Sequence, residues 1–207
     1  NEFQAHGKYN IGITAGIETT QVSHEFLEGM NRMNLNIVTS EHSKDGFVKT
    51  VYDKVNEKTK QKEGELRLQK PIEVLFEGLD LTVYKKTTKI HDTVLEELKD
   101  IKEDFCYLFT GHWLKGSLGQ DRKDIGMMIK TFCESFKNKQ AKNRPGLILK
   151  TSHASFSIVD RDNMTKKIQD IMKPYGNKAP NIYLLHGDLL DEEMNSLYNH
   201  LKVKALI

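Results

Sequence analysis

The stretch FTGHWLKGSLGQDRKDIGMMIKTF, residues 109–132, sets Gly111, Gly116 and Gly119 between an apolar run and an amphipathic one. A strand, a glycine-rich turn and a helix in that order can present backbone N–H groups to a phosphate. A Walker loop needs Lys and then Ser or Thr after its second glycine, so that an ammonium meets the terminal phosphates and a hydroxyl meets Mg²⁺. Gly111 and Gly116 have the right spacing, but Ser117 and Leu118 follow, and the NTPase reading fails. The dinucleotide fingerprint G-x-G-x-x-G is missing from the turn as well. The turn does carry a basic pair, Arg122 and Lys123, where the helix is expected to open. Two cations beside free N–H groups and the positive end of a helix dipole suit a diphosphate. The competing reading is an ordinary solvated helix start, since Arg and Lys are common on surfaces.

Composition narrows the classes. A chain of 207 residues holds one or two modest α/β domains with a real core. Its 31 basic and 29 acidic residues leave a net charge of +2, whereas nucleic-acid binders are usually lopsidedly basic. Cys106 and Cys133 fall in apolar stretches without metal or C-x-x-C spacing, which predicts buried thiols in a reduced cytoplasm. No apolar run approaches membrane-spanning length and no signal peptide is recognisable, so a cytoplasmic protein is expected. The eight histidines are scattered, and no nucleophile elbow, metal constellation or spaced acid–base pair emerges.

The elements that would position these residues alternate. Strands are expected at 8–14, 35–40, 70–80, 105–111, 146–152, 181–187 and 203–207, the last of them buried. Helices are expected at 19–33, 41–55, 91–101, 122–137, 160–176 and 190–201. In the first of these Val22, Phe26, Leu27 and Met30 share a face; in the third Val94, Leu95, Leu98 and Ile101 do. Strands separated by helices imply parallel pairing with right-handed crossovers, a Rossmann-like α/β arrangement. The charged stretch 56–70 has little apolar periodicity and predicts a solvated loop or small hairpin; a basic arm for an acceptor or membrane surface is the alternative. Two lobes follow, residues 1–86 and 104–207, joined by a connecting helix within 87–103.

The ordered set of motifs resembles retaining GT-B glycosyltransferases of the "group 1" type. KPIEVLFEGLDLTVYKK resembles the end of the family's first domain, with Gly78, Asp80 and Tyr84 at the matching positions. Upstream, Glu18, Asn31, Ser40 and Glu41 follow the family's order of Glu, helix, Asn, strand and Ser-Glu. The stretch from Phe109 is similar to the start of the donor domain, GLILKTS supplies the next strand with Lys150, and LLHGDLLDEEMNSLYNHLKVKALI resembles the strand, glycine, helix and strand beyond.

The resemblance implies a nucleotide-sugar donor held on the second lobe and a glycan, lipid or other acceptor on the first, with Glu18 on the acceptor side. Gly111, Arg122, Lys123 and Lys150 would face the donor diphosphate and stabilise the departing nucleotide without a metal or further cofactor. His186, Gly187 and Asp188 would form the base-side loop. His186 also reads as a strand-end histidine bonded to a neighbour, and Lys150 as a lysine reaching for water. The sequence departs from the family at His112, where Arg often stands, at Asp124, where Gly often stands, and in the long loop from Gly111 to Arg122. The family's catalytic carboxylates would follow Ile207 and its opening loop would precede Asn1, so an incomplete enzyme, inactive alone, is expected. Exposed strand edges and self-association would accompany truncation. The alternative from another class is a non-catalytic α/β module that binds a nucleotide or a protein.

Overall fold

A computed structural model describes residues 3–16, 18–153 and 155–207; Asn1, Glu2, Ile17 and Ala154 lie outside them. The chain divides into two compact units, Asn1–Leu79 and Asp80–Ile207. The expected α/β class holds in both, with parallel sheets flanked by helices.

The first unit comprises β1 (Ile11–Thr14), α1 (His24–Asn31), β2 (Leu35–Val38), α2 (Glu41–Lys49), β3 (Tyr52–Val55), β4 (Lys62–Leu66) and β5 (Ile72–Val74). β1, β2 and β5 form a parallel sheet in that order, with Ile11 opposite Leu35 and Asn36 opposite Ile72. Val22, Leu27, Met30, Val38, Phe47, Leu66 and Ile72 make its core. Asn36 is buried in β2, where its amide donates to Met30 O at 3.1 Å and Pro71 O at 3.3 Å, joining the end of α1 to the strand pair. The helix expected over 41–55 stops at Lys49, because Thr50 turns to extended backbone. Its hydroxyl donates to Gly46 O at 2.7 Å and accepts from Val22 N at 3.1 Å, so the chain leaves the helix axis there. Tyr52–Val55 then pairs antiparallel with Lys62–Leu66, and the charged stretch is a small hairpin. The helix expected over 19–33 is shorter, His24–Asn31.

The second unit comprises α3 (Asp92–Leu98), β6 (Cys106–Thr110), α4 (Ile125–Phe136), β7 (Gly146–Lys150), α5 (Ile158–Met172), β8 (Ile182–Leu185), α6 (Asp191–Asn199) and β9 (Val203–Leu206). Its sheet runs β8-β7-β6-β9, all parallel, which in the unit's own count is the third-second-first-fourth order of a Rossmann sheet. Alternate residues of a strand serve opposite faces. Leu147 and Leu149 meet α4 and α5 through Ile129, Phe132, Met164 and Ile168. Ile148 meets α3 and α6 through Val94, Leu98 and Leu197. Burial on both sides explains why β7 is a continuous apolar run. Residues 87–103 lie within this unit, with Val94, Leu98 and Ile101 in its core. The strand expected to be buried at 203–207 is instead an edge strand among the described residues. It pairs with β6 alone, and Leu206 is 66% exposed. No described helix is long and apolar enough to cross a membrane.

Candidate functional site

Parallel sheets take ligands in the crevice beyond the carboxyl ends of their strands. In the second unit that place holds a pocket of about 400 Å³. Thr110, Gly111 and His112 line it from the end of β6, and Lys150, Thr151 and Ser152 from the end of β7. Phe156 lines it from the loop just before α5, and Asp188, Leu189 and Met194 from the loop after β8 and from α6. Three residues from separate parts of the sequence expectation, Gly111, Lys150 and Asp188, thus share one cavity.

Lys150 is half-buried, and its ammonium donates to Gly187 O at 2.5 Å. It also lies 5.4 Å from the centre of the Phe156 ring. Burial pulls the amine below the ordinary lysine range, and the neighbouring Asp188 carboxylate opposes that. Gly111 N donates to Lys150 O at 3.1 Å, which continues the ladder one residue past β6. Its φ is 154°, and a Cβ there would sit 2.7 Å from Lys123 Nζ. Glycine is therefore what lets Lys123 lie back over the strand end, where Nζ donates to Thr110 O at 3.4 Å and sits 5.7 Å from the Phe109 ring centre.

The basic pair stands otherwise than expected. The helix begins at Ile125, and Asp124 is its N-cap, in left-handed backbone at φ 41° and ψ 51°. The Asp124 carboxylate accepts from Gly119 N at 2.8 Å and from Met127 N at 3.4 Å. The helix thus brings its own anion to its positive end, and Arg122 and Lys123 lie in the turn outside it. Arg122 is exposed and has no hydrogen-bond or ion-pair partner among the described residues. The long loop folds back over the helix start, so that a Cβ on Gly126 would fall 1.5 Å from Ser117 O.

His186 turns inward. Its Nε2 lies 2.9 Å from Asp160 Oδ2, and Phe156 meets the imidazole edge-on with 5.9 Å between centroids. The strand-end reading of this histidine describes that geometry. Burial alone would raise the Asp160 carboxyl; hydrogen bonds from His186 and the His153 N–H outweigh it and hold the group below its ordinary value. Gly187 contributes the carbonyl bound by Lys150, and the exposed Asp188 accepts from Leu189 N at 3.1 Å.

Glu18 is exposed in the first unit and lines a cleft of about 290 Å³ with Ala15, Gly16, Ser40, His42 and Ser43, beyond the carboxyl ends of β1 and β2. Ser40 is the N-cap of α2. Asn31 holds the backbone of the first unit together, accepting from Gln69 N at 2.7 Å and donating to Arg67 O at 2.8 Å. The Tyr84 hydroxyl donates to Asp191 at 2.8 Å in the second unit.

Sequence reasoning missed Thr151, Ser152, Phe156 and Asp160 and took His112 only as a departure. His112 Nδ1 lies 3.1 Å from Ser152 Oγ within the pocket. The one local signal for Asp160 is the spacing Ser157-x-x-Asp160 before a helix, a capping pattern; the Ser157 hydroxyl accepts from Asp160 N at 3.1 Å.

No protein-family model matches the chain, and no curated protein matches it. Among solved structures it is similar to one described as trehalose-6-phosphate from E. coli bound with UDP-2-fluoro glucose, at 14% identity and a TM-score of 0.48. The match covers 84% of this chain and 40% of that one, so the chain spans well under half of that neighbour's length.

Proposed function

We propose that the chain is part of a nucleotide-sugar glycosyltransferase of GT-B type, with the second unit binding the donor. The observation that carries this reading is the meeting of Gly111, Lys150 and Asp188 in one pocket at the carboxyl edge of a parallel sheet. Lys150 and Lys123 give the diphosphate its cations, and Arg122 adds field from the turn. The Lys150 ammonium stabilises charge that builds on the leaving nucleotide, which removes the need for a metal at that step. The loop His186–Gly187–Asp188 shapes the base side, chiefly through backbone groups. The first unit, with the Glu18 cleft, handles a glycan, lipid or other acceptor, and transfer proceeds with retention in the cytoplasm.

The test is calorimetric titration with UDP, GDP, ADP and dTDP, on the wild type and on Lys150→Met. One nucleotide is expected to saturate, and Lys150→Met to weaken it at least about tenfold, the loss of one charge-assisted hydrogen bond of about 1.5–3 kcal/mol. Binding of none of the four, or equal binding by the variant, overturns the reading.

A second reading, a nucleotide-binding module without catalysis, draws on Asp124. Its carboxylate already answers the positive end of α4, which weakens that end as a stabiliser of a leaving phosphate. Nucleotide binding without sugar release from any matched UDP-, GDP-, ADP- or dTDP-sugar, in the full-length gene product, would select it.

A further inference from the structure

Two loops rim the donor pocket, one after β7 and one after β8, and a single buried carboxylate holds both. Asp160 Oδ2 accepts from the His153 N–H at 3.0 Å in the first loop and lies 2.9 Å from His186 Nε2 at the head of the second. The His186 and Asp160 side chains are only 5% and 8% exposed. Leaving a carboxylate in such a place is costly unless its position is used or well compensated. Here the first turn of α5 and the Ser157 cap fix it in place. From His186 the contacts run on to the pocket's cation. Phe156 packs edge-on against the imidazole, Lys150 lies over the Phe156 ring, and the Lys150 ammonium returns to Gly187, the residue after His186.

We propose that Asp160 is a positioning residue for nucleoside diphosphate binding. Through His186 and the His153 N–H it sets the two loops so that Lys150 is held at the pocket. The inference rests on the donor-site reading above. The role is geometric: both hydrogen bonds converge on one oxygen, and an amide oxygen in the same place can accept them. Asp160→Asn should therefore keep the site and Asp160→Ala should lose it.

The experiment titrates UDP, GDP, ADP and dTDP into wild type, Asp160→Asn, Asp160→Ala and His186→Ala, well below each protein's unfolding temperature. Amide spectra follow Gly187 and Lys150. The nucleotide that binds wild type is expected to bind Asp160→Asn within about threefold and Asp160→Ala at least about tenfold more weakly. At a fixed nucleotide concentration its shifts at Gly187 and Lys150 should persist in Asp160→Asn and shrink in Asp160→Ala. A residue that served stability alone would lower the melting temperature and leave the affinity of the folded protein unchanged. Should Ala at 160 fail to fold, His186→Ala cuts the same circuit while keeping the His153 contact, and a comparable loss is expected. Wild-type affinity in a folded Ala variant at either position, or an Asn variant as weak as Ala, overturns this inference and leaves the donor site standing. Absence of binding by wild type overturns both.

Discussion

The ammonium of Lys150 donates to the carbonyl oxygen of Gly187 at 2.5 Å, tying the end of β7 to the loop after β8. The same group is the cation lining the pocket, so the residue that would meet an anion also holds the wall beside it. Burial makes the charged form of this amine harder to keep than that of a lysine in water.

That depression has a pH signature. As pH rises, Lys150 loses its proton before the ordinary lysine range near about 10.4 is reached, and the pocket loses its charge with it. A nucleoside diphosphate should therefore bind progressively more weakly as pH rises towards the ordinary lysine range. The nucleotide that saturates the wild type is the probe, and Lys150→Met titrated alongside it records any ionisation of the base itself. Lys150→Met should bind weakly throughout and show no such slope. Calorimetric titrations at several pH values decide it; a wild-type affinity that stays flat would detach Lys150 from anion binding.

The thiols should be silent. Cys106 and Cys133 are buried, and burial, assisted by the Glu103 and Glu134 carboxylates respectively, pushes each up to about 11. Near pH 8 only about one molecule in a thousand then carries the reactive thiolate at either position. A disulfide reagent should label neither cysteine in the native protein and both after denaturation. Fast labelling of the native chain would contradict the burial of β6 or α4.

How much of this was legible depends on range in sequence. The apolar runs of β6 and β7 and the periodicity of α3 are local signals, and they gave the right elements in the right order. The end of α2 was not legible, because Thr50 stops the helix partly through Val22, twenty-eight residues away. The diphosphate candidates Gly111 and Lys150 were legible as strand ends. Their neighbour Asp160 was not, since its partner His186 is twenty-six residues along the chain and nothing near either position announces the pair. The helix start was legible only to within three residues, because the expectation places it at the basic pair and Asp124, read only as a departure, is the cap.

The fold-back of the glycine-rich loop rests on Gly126. A side chain there would collide with the Ser117 carbonyl, which is backbone and cannot swing aside as a side-chain tip would. Gly126→Ala should therefore displace the loop and cost about 1–3 kcal/mol, the range for forced overpacking. In an open helix interior the same change would be stabilising, because alanine is the better helix former. Urea unfolding of the variant gives the sign at once. A stabilised Gly126→Ala would mean that the loop does not rest on the helix in solution.

The last prediction separates Arg122 from Lys123. Both are exposed, so charge reversal at either should alter stability by no more than about 0.5 kcal/mol. Their surroundings differ. Lys123 Nζ lies against the strand end, where a Cβ added to Gly111, a residue of the pocket wall, would meet it at 2.7 Å. Arg122 has no partner among the described residues and acts only through its field, which about 0.15 M salt screens over roughly 8 Å. Lys123→Glu should weaken nucleoside diphosphate binding at least about tenfold, with much of the loss surviving at high salt, as expected for a direct charge-assisted contact. Arg122→Glu should have a smaller effect that fades as salt is added. Titrations of both variants at low and high ionic strength provide the comparison. Equal losses with equal salt dependence would mean that the turn contributes charge alone, and unchanged affinity in both would remove the basic pair from the proposed donor site.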